Sequence, residues 1–114
     1  MAVKKPEDLV PLKAHWFHVL LSLSDGDQHG YAIMQEVLDR THGKIRLWPA
    51  TLYGTLKRLM DAELIEESAV DDRRRYYRLT KSGRRALDAE SRRLEELVRV
   101  IQAKRGVRER KADV

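Results

Sequence analysis

Between Pro49 and Leu79 the spacing of apolar residues switches from helical to strand-like within a few positions, and no other feature of the chain constrains its fold as strongly. At about 100° per residue, Leu52, Leu56, Leu59 and Met60 fall in one arc of a helix, while Ala50, Gly54, Lys57 and Asp61 lie opposite. The residues that follow abandon this period. Leu64-Ile65-Glu66-Glu67-Ser68 and Arg75-Tyr76-Tyr77-Arg78-Leu79 read as two short strands joined by the polar Asp71-Asp72-Arg73-Arg74. That pattern predicts a hairpin whose loop is longer than a two-residue turn.

Two further helices precede this unit. Leu12, Trp16, Val19, Leu20 and Leu23 recur at helical spacing, with Pro11 placed to open the helix and Ser24-Asp25-Gly26-Asp27 to stop it. Asp27 then reads as the cap of a second helix that buries Tyr31, Met34, Val37 and Leu38 and closes at Gly43. After the hairpin, Thr80 is a candidate cap for a final helix running to about Arg105, with Gly106 as its stop. Its roughly 26 residues would span about 39 Å. Leu87, Leu94, Leu97, Val98 and Ile101 share one stripe of that helix, more apolar surface than so small a monomer can cover. The stripe and its neighbours Arg93, Glu95, Glu96 and Arg99 suit a two-helix seam. The chain therefore divides into an arm (1–10), a compact unit (11–80), a dimerisation helix (81–105) and a charged tail (106–114). The fold class is mainly α (α+β): three helices, a two-stranded wing and a long C-terminal helix, the order of a winged helix-turn-helix.

Composition narrows the function. With 114 residues, no cysteine and 42% hydrophobic residues, the chain excludes disulfide scaffolds and thiolate chemistry and is expected to form one soluble, cytoplasmic domain. Its net charge of +5 favours a polyanionic partner, double-stranded DNA first. The surplus is uneven: residues 1–80 hold 12 basic and 12 acidic side chains, and residues 81–114 hold 11 and 6. Local arrangement matters more than the total. Ala50 and Gly54 are small enough to let the third helix approach base edges, Lys57 offers donors, and Thr51, Tyr53 and Arg58 flank that face within reach of phosphate. From Arg73 to Arg85 there are seven basic residues, including Arg74 and Arg75, and no acidic one. Such a run at a hairpin tip fits a duplex backbone. The competing reading pairs these cations with Glu66, Glu67, Asp71 and Asp72.

At this point the chain resembles the PadR-type transcriptional regulators, in their shorter form with a single C-terminal helix. The residues carrying the resemblance are His29-Gly30-Tyr31, Pro49-Ala50-Thr51-Leu52-Tyr53 with Leu56 and Leu59, Leu64-Ile65, and Arg74-Arg75-Tyr76-Tyr77-Arg78-Leu79-Thr80 with Gly83 and Leu87. The resemblance implies a homodimeric repressor on an inverted-repeat, near-palindromic operator, released by a small molecule. By position it implies that Tyr53 contacts phosphate, that Ala50, Thr51, Gly54 and Lys57 face the groove, and that Arg74 and Arg75 serve the wing. Glu63 stands where the family usually has glycine, so a different helix ending is expected there. Gly54, often larger in relatives, removes one base contact.

Trp16 and Phe17 are candidate walls for a small hydrophobic or aromatic effector between the first and last helices, with core packing as the alternative. Trp48 reads as a core or dimer-packing residue. Gly30 reads as a site of close helix approach. His15 and His18, three apart, lack the further ligands a metal needs, and no cofactor is expected. Nothing resembles a nucleophile with its base or a phosphate-binding glycine loop, so an enzyme is not expected. The alternative function is a protein-interaction module, with the winged helix as scaffold and the last helix as docking surface.

Overall fold

A computed structural model describes residues 5–112. Its elements are α1 (Ala14–Ser22), β1 (Gln28–His29), α2 (Gly30–Arg40), α3 (Pro49–Asp61), β2 (Ile65–Asp71), β3 (Arg74–Leu79) and α4 (Lys81–Ala112), with short 3-10 turns at Pro6–Leu9 and Leu23–Asp25. Leu20, Leu23, Ile33, Val37, Leu52, Leu56, Leu59, Leu64 and Ile65 interlock in a single core between the helices and the sheet. The apolar arc of α3 faces inward as its periodicity predicts, joined by the buried Thr55.

Local chemistry departs from expectation at several points. Pro6, not Pro11, opens the first turn, and Lys13 precedes α1. Within the expected arm, residues 5–10 are docked: Glu7 accepts two hydrogen bonds from the Arg85 guanidinium at 2.6 and 2.8 Å. Residues 1–4 lie outside the described residues. Asp27 does not cap α2; the His29 ring does, its Nδ1 accepting from the Ala32 amide at 3.2 Å. Gln28 and His29 instead pair with Tyr77 and Tyr76, adding a third strand to the wing hairpin in the order β1-β3-β2. The hairpin turns on two residues only, since Asp71 pairs with Arg74 and both Asp72 and Arg73 have positive φ (49° and 67°). That is the twist a two-residue hairpin turn needs, reached here without glycine. Alternation along β3 turns Tyr77 to the core while Arg74 and Arg78 point outward, and a bulge between Glu67 and Ala69 interrupts the facing strand β2.

Two helices end in the same way. His42 and Gly43 donate to the Asp39 and Leu38 carbonyls, and Glu63 and Leu64 donate to the Met60 and Leu59 carbonyls, the paired bonds of a Schellman ending. The expected closure at Gly43 therefore has His42 (φ 53°) in the left-handed position. The ending at Glu63 has the usual geometry in spite of its side chain, with φ 61°. A non-glycine residue there costs about 1 kcal/mol or more, partly offset by the lower entropy of its unfolded state. Glu63→Gly is expected to gain a few tenths of a kcal/mol up to about 1 kcal/mol, raising the melting temperature by a few degrees in calorimetry. An unchanged or lower melting temperature would show that the left-handed strain is not felt.

Thr80 caps α4 as expected, its hydroxyl accepting from the Gly83 amide at 3.0 Å and donating to the Glu63 carbonyl at 2.6 Å. The helix passes Gly106 without stopping and continues to Ala112, so residues 106–112 of the expected tail are helical. Its 32 residues span about 48 Å, and the molecule measures 64 Å along its longest axis. One stripe of α4 has two environments. Gly83, Ala86, Leu87 and Glu90 are buried against the domain, whereas Leu97, Val98 and Ile101 on the same stripe are exposed. Leu87 is thus core of this chain and unavailable to the expected seam.

Candidate nucleic-acid interface

The outward face of α3 carries Ala50, Thr51, Tyr53, Lys57 and Arg58 in the open, with Gly54 half-buried among them. Tyr53 is 54% exposed although its neighbour Leu52 is wholly buried. Gly30 is the reason Tyr53 can lie down on α2. A Cβ at Gly30 would stand 3.1 Å from Leu52 Cδ2 and 3.2 Å from the Tyr53 hydroxyl, tighter than ordinary contact. The expected close approach of the two helices therefore places a phenol beside the start of α2.

The wing closes the other side. Tyr53, His29 and Tyr31 line one cleft of about 470 Å³ together with Arg73, Arg74 and Arg75. Tyr77 forms its floor; burial pushes the Tyr77 hydroxyl above its ordinary pKa of 10.0, so it stays neutral. The positive end of the α2 dipole also points to this region, and a helix start attracts anions. The cleft thus presents a phenol, guanidinium groups and an imidazole to whatever enters it.

Of the candidate residues, the structure brings Tyr53 together with Arg73, Arg74 and Arg75. Lys57 lies further along α3 and forms no ion pair among the described residues. Arg58 does not join the cleft; it lines a separate hollow of about 180 Å³ with His15, Trp16 and Thr55. The basic run is less free than its composition implies. Arg78 pairs with Glu66 at 2.8 Å and Arg75 with Glu67 at 3.8 Å, so part of the competing, cross-hairpin reading holds as well, and Arg85 is taken up by Glu7 outside the hairpin. Arg73, Arg74, Lys81 and Arg84 have no carboxylate partner among the described residues.

Several exposed residues escape a sequence reading. Tyr31, expected in the core, is 66% exposed, because Ile33 and Val37 form the buried pair of α2. Starting the arc at Ile33 would have put Tyr31 about 200° away, on the outer side. Trp48 is 63% exposed at the start of α3, not packed, and the Arg46 guanidinium sits 5.0 Å above its ring. Trp16 and Phe17 are half-buried against the core, and Trp16 also borders a hollow of about 190 Å³ with Leu9, Pro11 and Leu12. His15 is exposed, but His18 is held by Arg40, whose guanidinium contacts the His18 carbonyl, its ring and the Ser22 hydroxyl. Burial, with Arg40 nearby, lowers the His18 pKa and keeps the ring neutral. No helix of the described residues is long and apolar enough to cross a membrane.

Comparison with known proteins agrees with this architecture. The sequence profile of the Transcriptional regulator PadR-like family matches residues 19–89. Transcriptional regulator Rv3488 of Mycobacterium tuberculosis is 44% identical over 87 residues, covering 74% of this chain and 78% of that protein. A PadR family transcription regulator from Clostridium difficile superposes with a TM-score of 0.70 at 24% identity, covering 80% of this chain and 97% of the other. Bacillus subtilis PadR in complex with operator DNA superposes with a TM-score of 0.60 at 22% identity, over 67% of this chain and 45% of that one.

Proposed function

This chain belongs to the PadR-like family of transcriptional regulators, and from that premise we propose that it binds duplex DNA as a homodimeric repressor. The observation that carries the reading is the meeting of Tyr53 on the outer face of α3 with Arg73, Arg74 and Arg75 on the wing, in one open cleft. The outer face of α3 enters the major groove with Ala50, Thr51 and Gly54 against base edges and Lys57 as a donor, while the wing holds the phosphate backbone. Bacillus subtilis PadR, which shares the fold and was solved in complex with operator DNA, supports the DNA-binding reading.

Exposed Leu97, Val98 and Ile101, with half-buried Leu94, supply the apolar seam for a second copy. A two-fold dimer presents two α3 helices about 34 Å apart, so the target is a near-palindrome with half-sites one turn apart. Release by a small hydrophobic or aromatic effector would act through the half-buried Trp16 and Phe17 on α1. Arg58, on the same side as Trp16, serves flanking phosphate rather than the groove.

The test is a salt-dependent titration of the full chain against its own upstream DNA. Lys57→Ala combined with Arg74→Ala is expected to weaken binding at least tenfold and to reduce the log–log salt slope by about 2, close to 0.9 per lost phosphate contact. Unchanged affinity and slope would show that this surface is not the interface. The absence of duplex binding, together with a stable hetero-complex sensitive to changes at Leu94 and Ile101, would favour the protein-interaction module.

A further inference from the structure

We infer that His29 is a further phosphate-contacting residue, its Nε2–H and the Arg74 guanidinium together grasping one phosphodiester oxygen of duplex DNA. The inference rests on the DNA-binding reading and extends it to a residue outside α3 and the β2–β3 hairpin.

Ala32 N–H has only a hydrogen to give, so the His29 Nδ1 it meets at 3.2 Å must be the unprotonated, accepting nitrogen. In a neutral imidazole the proton then sits on Nε2. Yet Nε2 lies 3.3 Å from Arg74 Nη1, and a guanidinium has no acceptor. Two donors therefore face one another on the rim of the cleft. Neither satisfies the other, and both are satisfied at once by a single anionic oxygen placed between them.

The ring is held for this task. Its cap to Ala32 fixes one edge, and Tyr76, its partner across the β1–β3 pairing, packs edge-on at 5.4 Å between ring centroids. The Tyr53 hydroxyl lies beside Gly30, the next residue, and both share the cleft with His29 and Arg74. A phosphodiester entering there meets an imidazole N–H, a guanidinium and a phenol at the positive end of α2. Pairing with the base edges is not involved, so His29 contributes to affinity and register without reading sequence.

The experiment separates the cap from the contact. Asparagine and aspartate both cap helices well, so His29→Asn and His29→Asp are expected to keep the melting temperature of the unaltered protein, but neither side chain reaches the Nε2 position. The full chain is titrated with a labelled mixed-sequence duplex of about 30 bp at about 50 mM salt and upward. His29→Asn is expected to lose about tenfold in affinity with an unchanged salt slope, because a neutral donor releases no counterion. His29→Asp, which sets a carboxylate beside the phosphate, should lose more. Arg74→Ala, in contrast, should lower the slope by about 0.9. Binding by both His29 variants within twofold of the unaltered protein, while Lys57→Ala weakens it, overturns the His29 contact and leaves the interface standing. Failure of the unaltered protein to bind any duplex overturns both.

Discussion

Replacing Gly83 with alanine is expected to cost about 3 kcal/mol of folding stability and to lower the melting temperature by more than about 10 °C. A Cβ at Gly83 would penetrate the Leu64 carbonyl oxygen and stand 2.9 Å from the Leu64 carbonyl carbon, with Leu79 Cδ2 a further 3.3 Å away. These atoms have nowhere to go. The Leu64 carbonyl accepts the Thr80 amide at 3.1 Å, and the Leu64 amide closes the end of α3 on Leu59. Leu64 is also fully buried, so moving it would shift α3, β2 and the start of α4 together. The right control is Gly106→Ala, where no atom lies within 4 Å and the helix continues on both sides. That change should stabilise by up to about 1 kcal/mol through helix propensity. Thermal unfolding of both variants checks the contrast, and equal melting temperatures would mean that the α3–α4 contact yields easily.

The second large effect is expected at Glu90, the one acidic side chain of the described residues that is buried, at 2% exposure. One of its oxygens accepts the Leu12 amide at 3.0 Å, across 78 residues, and the Arg93 guanidinium grips both oxygens. The carboxylate thereby fastens the segment leading into α1 to the middle of α4. Glu90→Ala removes the acceptor and leaves a buried amide unpaired, while Arg93, one-third exposed, can turn to water. The expected cost is about 2 to 3 kcal/mol. Glu90→Gln keeps an acceptor for Leu12 and should cost about half as much.

The same residue sets an acid limb. The Arg93 hydrogen bond holds the Glu90 carboxyl below its ordinary 4.5, against the opposing push of burial and with help from the Leu12 amide. A carboxyl whose folded pKa is depressed contributes stability above its unfolded pKa and loses it as pH falls through the folded value. Stability should therefore decline from about pH 5 downward. Glu90→Gln should flatten part of that decline in urea titrations carried out at successive pH values. A limb of unchanged depth in the variant would assign it to other carboxylates, of which Glu7, lowered chiefly by its hydrogen bonds to Arg85, is the first candidate.

How far the fold was legible follows the kind of interaction involved. The core face of α3 and the cap at Thr80 rest on spacing within one element, and each stands where the local sequence puts it. The two-residue turn at Asp72 and Arg73 was hidden because its positive φ values favour glycine or asparagine, and neither residue is present. His29 was hidden as a cap for a similar reason, since capping propensity points to Asp27 and only the pairing of β1 with β3 carries the chain past it. The interface was legible by residue type but not by membership. Tyr53 and the arginines of the wing meet, Arg58 does not, and Tyr31 and His29 join unannounced.

By itself the sequence determined the order of the four helices and the hairpin, the buried face of α3 and the clustering of positive charge at the wing, because periodicity and charge are local properties of neighbouring residues. Only the tertiary structure decided which cations are spent on Glu7, Glu66 and Glu67 and which are left to an outside partner. It alone divided one apolar stripe of α4 into a half that closes this chain's core at Leu87 and a half left open at Leu97, Val98 and Ile101. The physical reason is common to both. Pairing and burial depend on what lies across the fold, and residues 78 positions apart, such as Glu7 and Arg85 or Leu12 and Glu90, become neighbours only when the chain has closed.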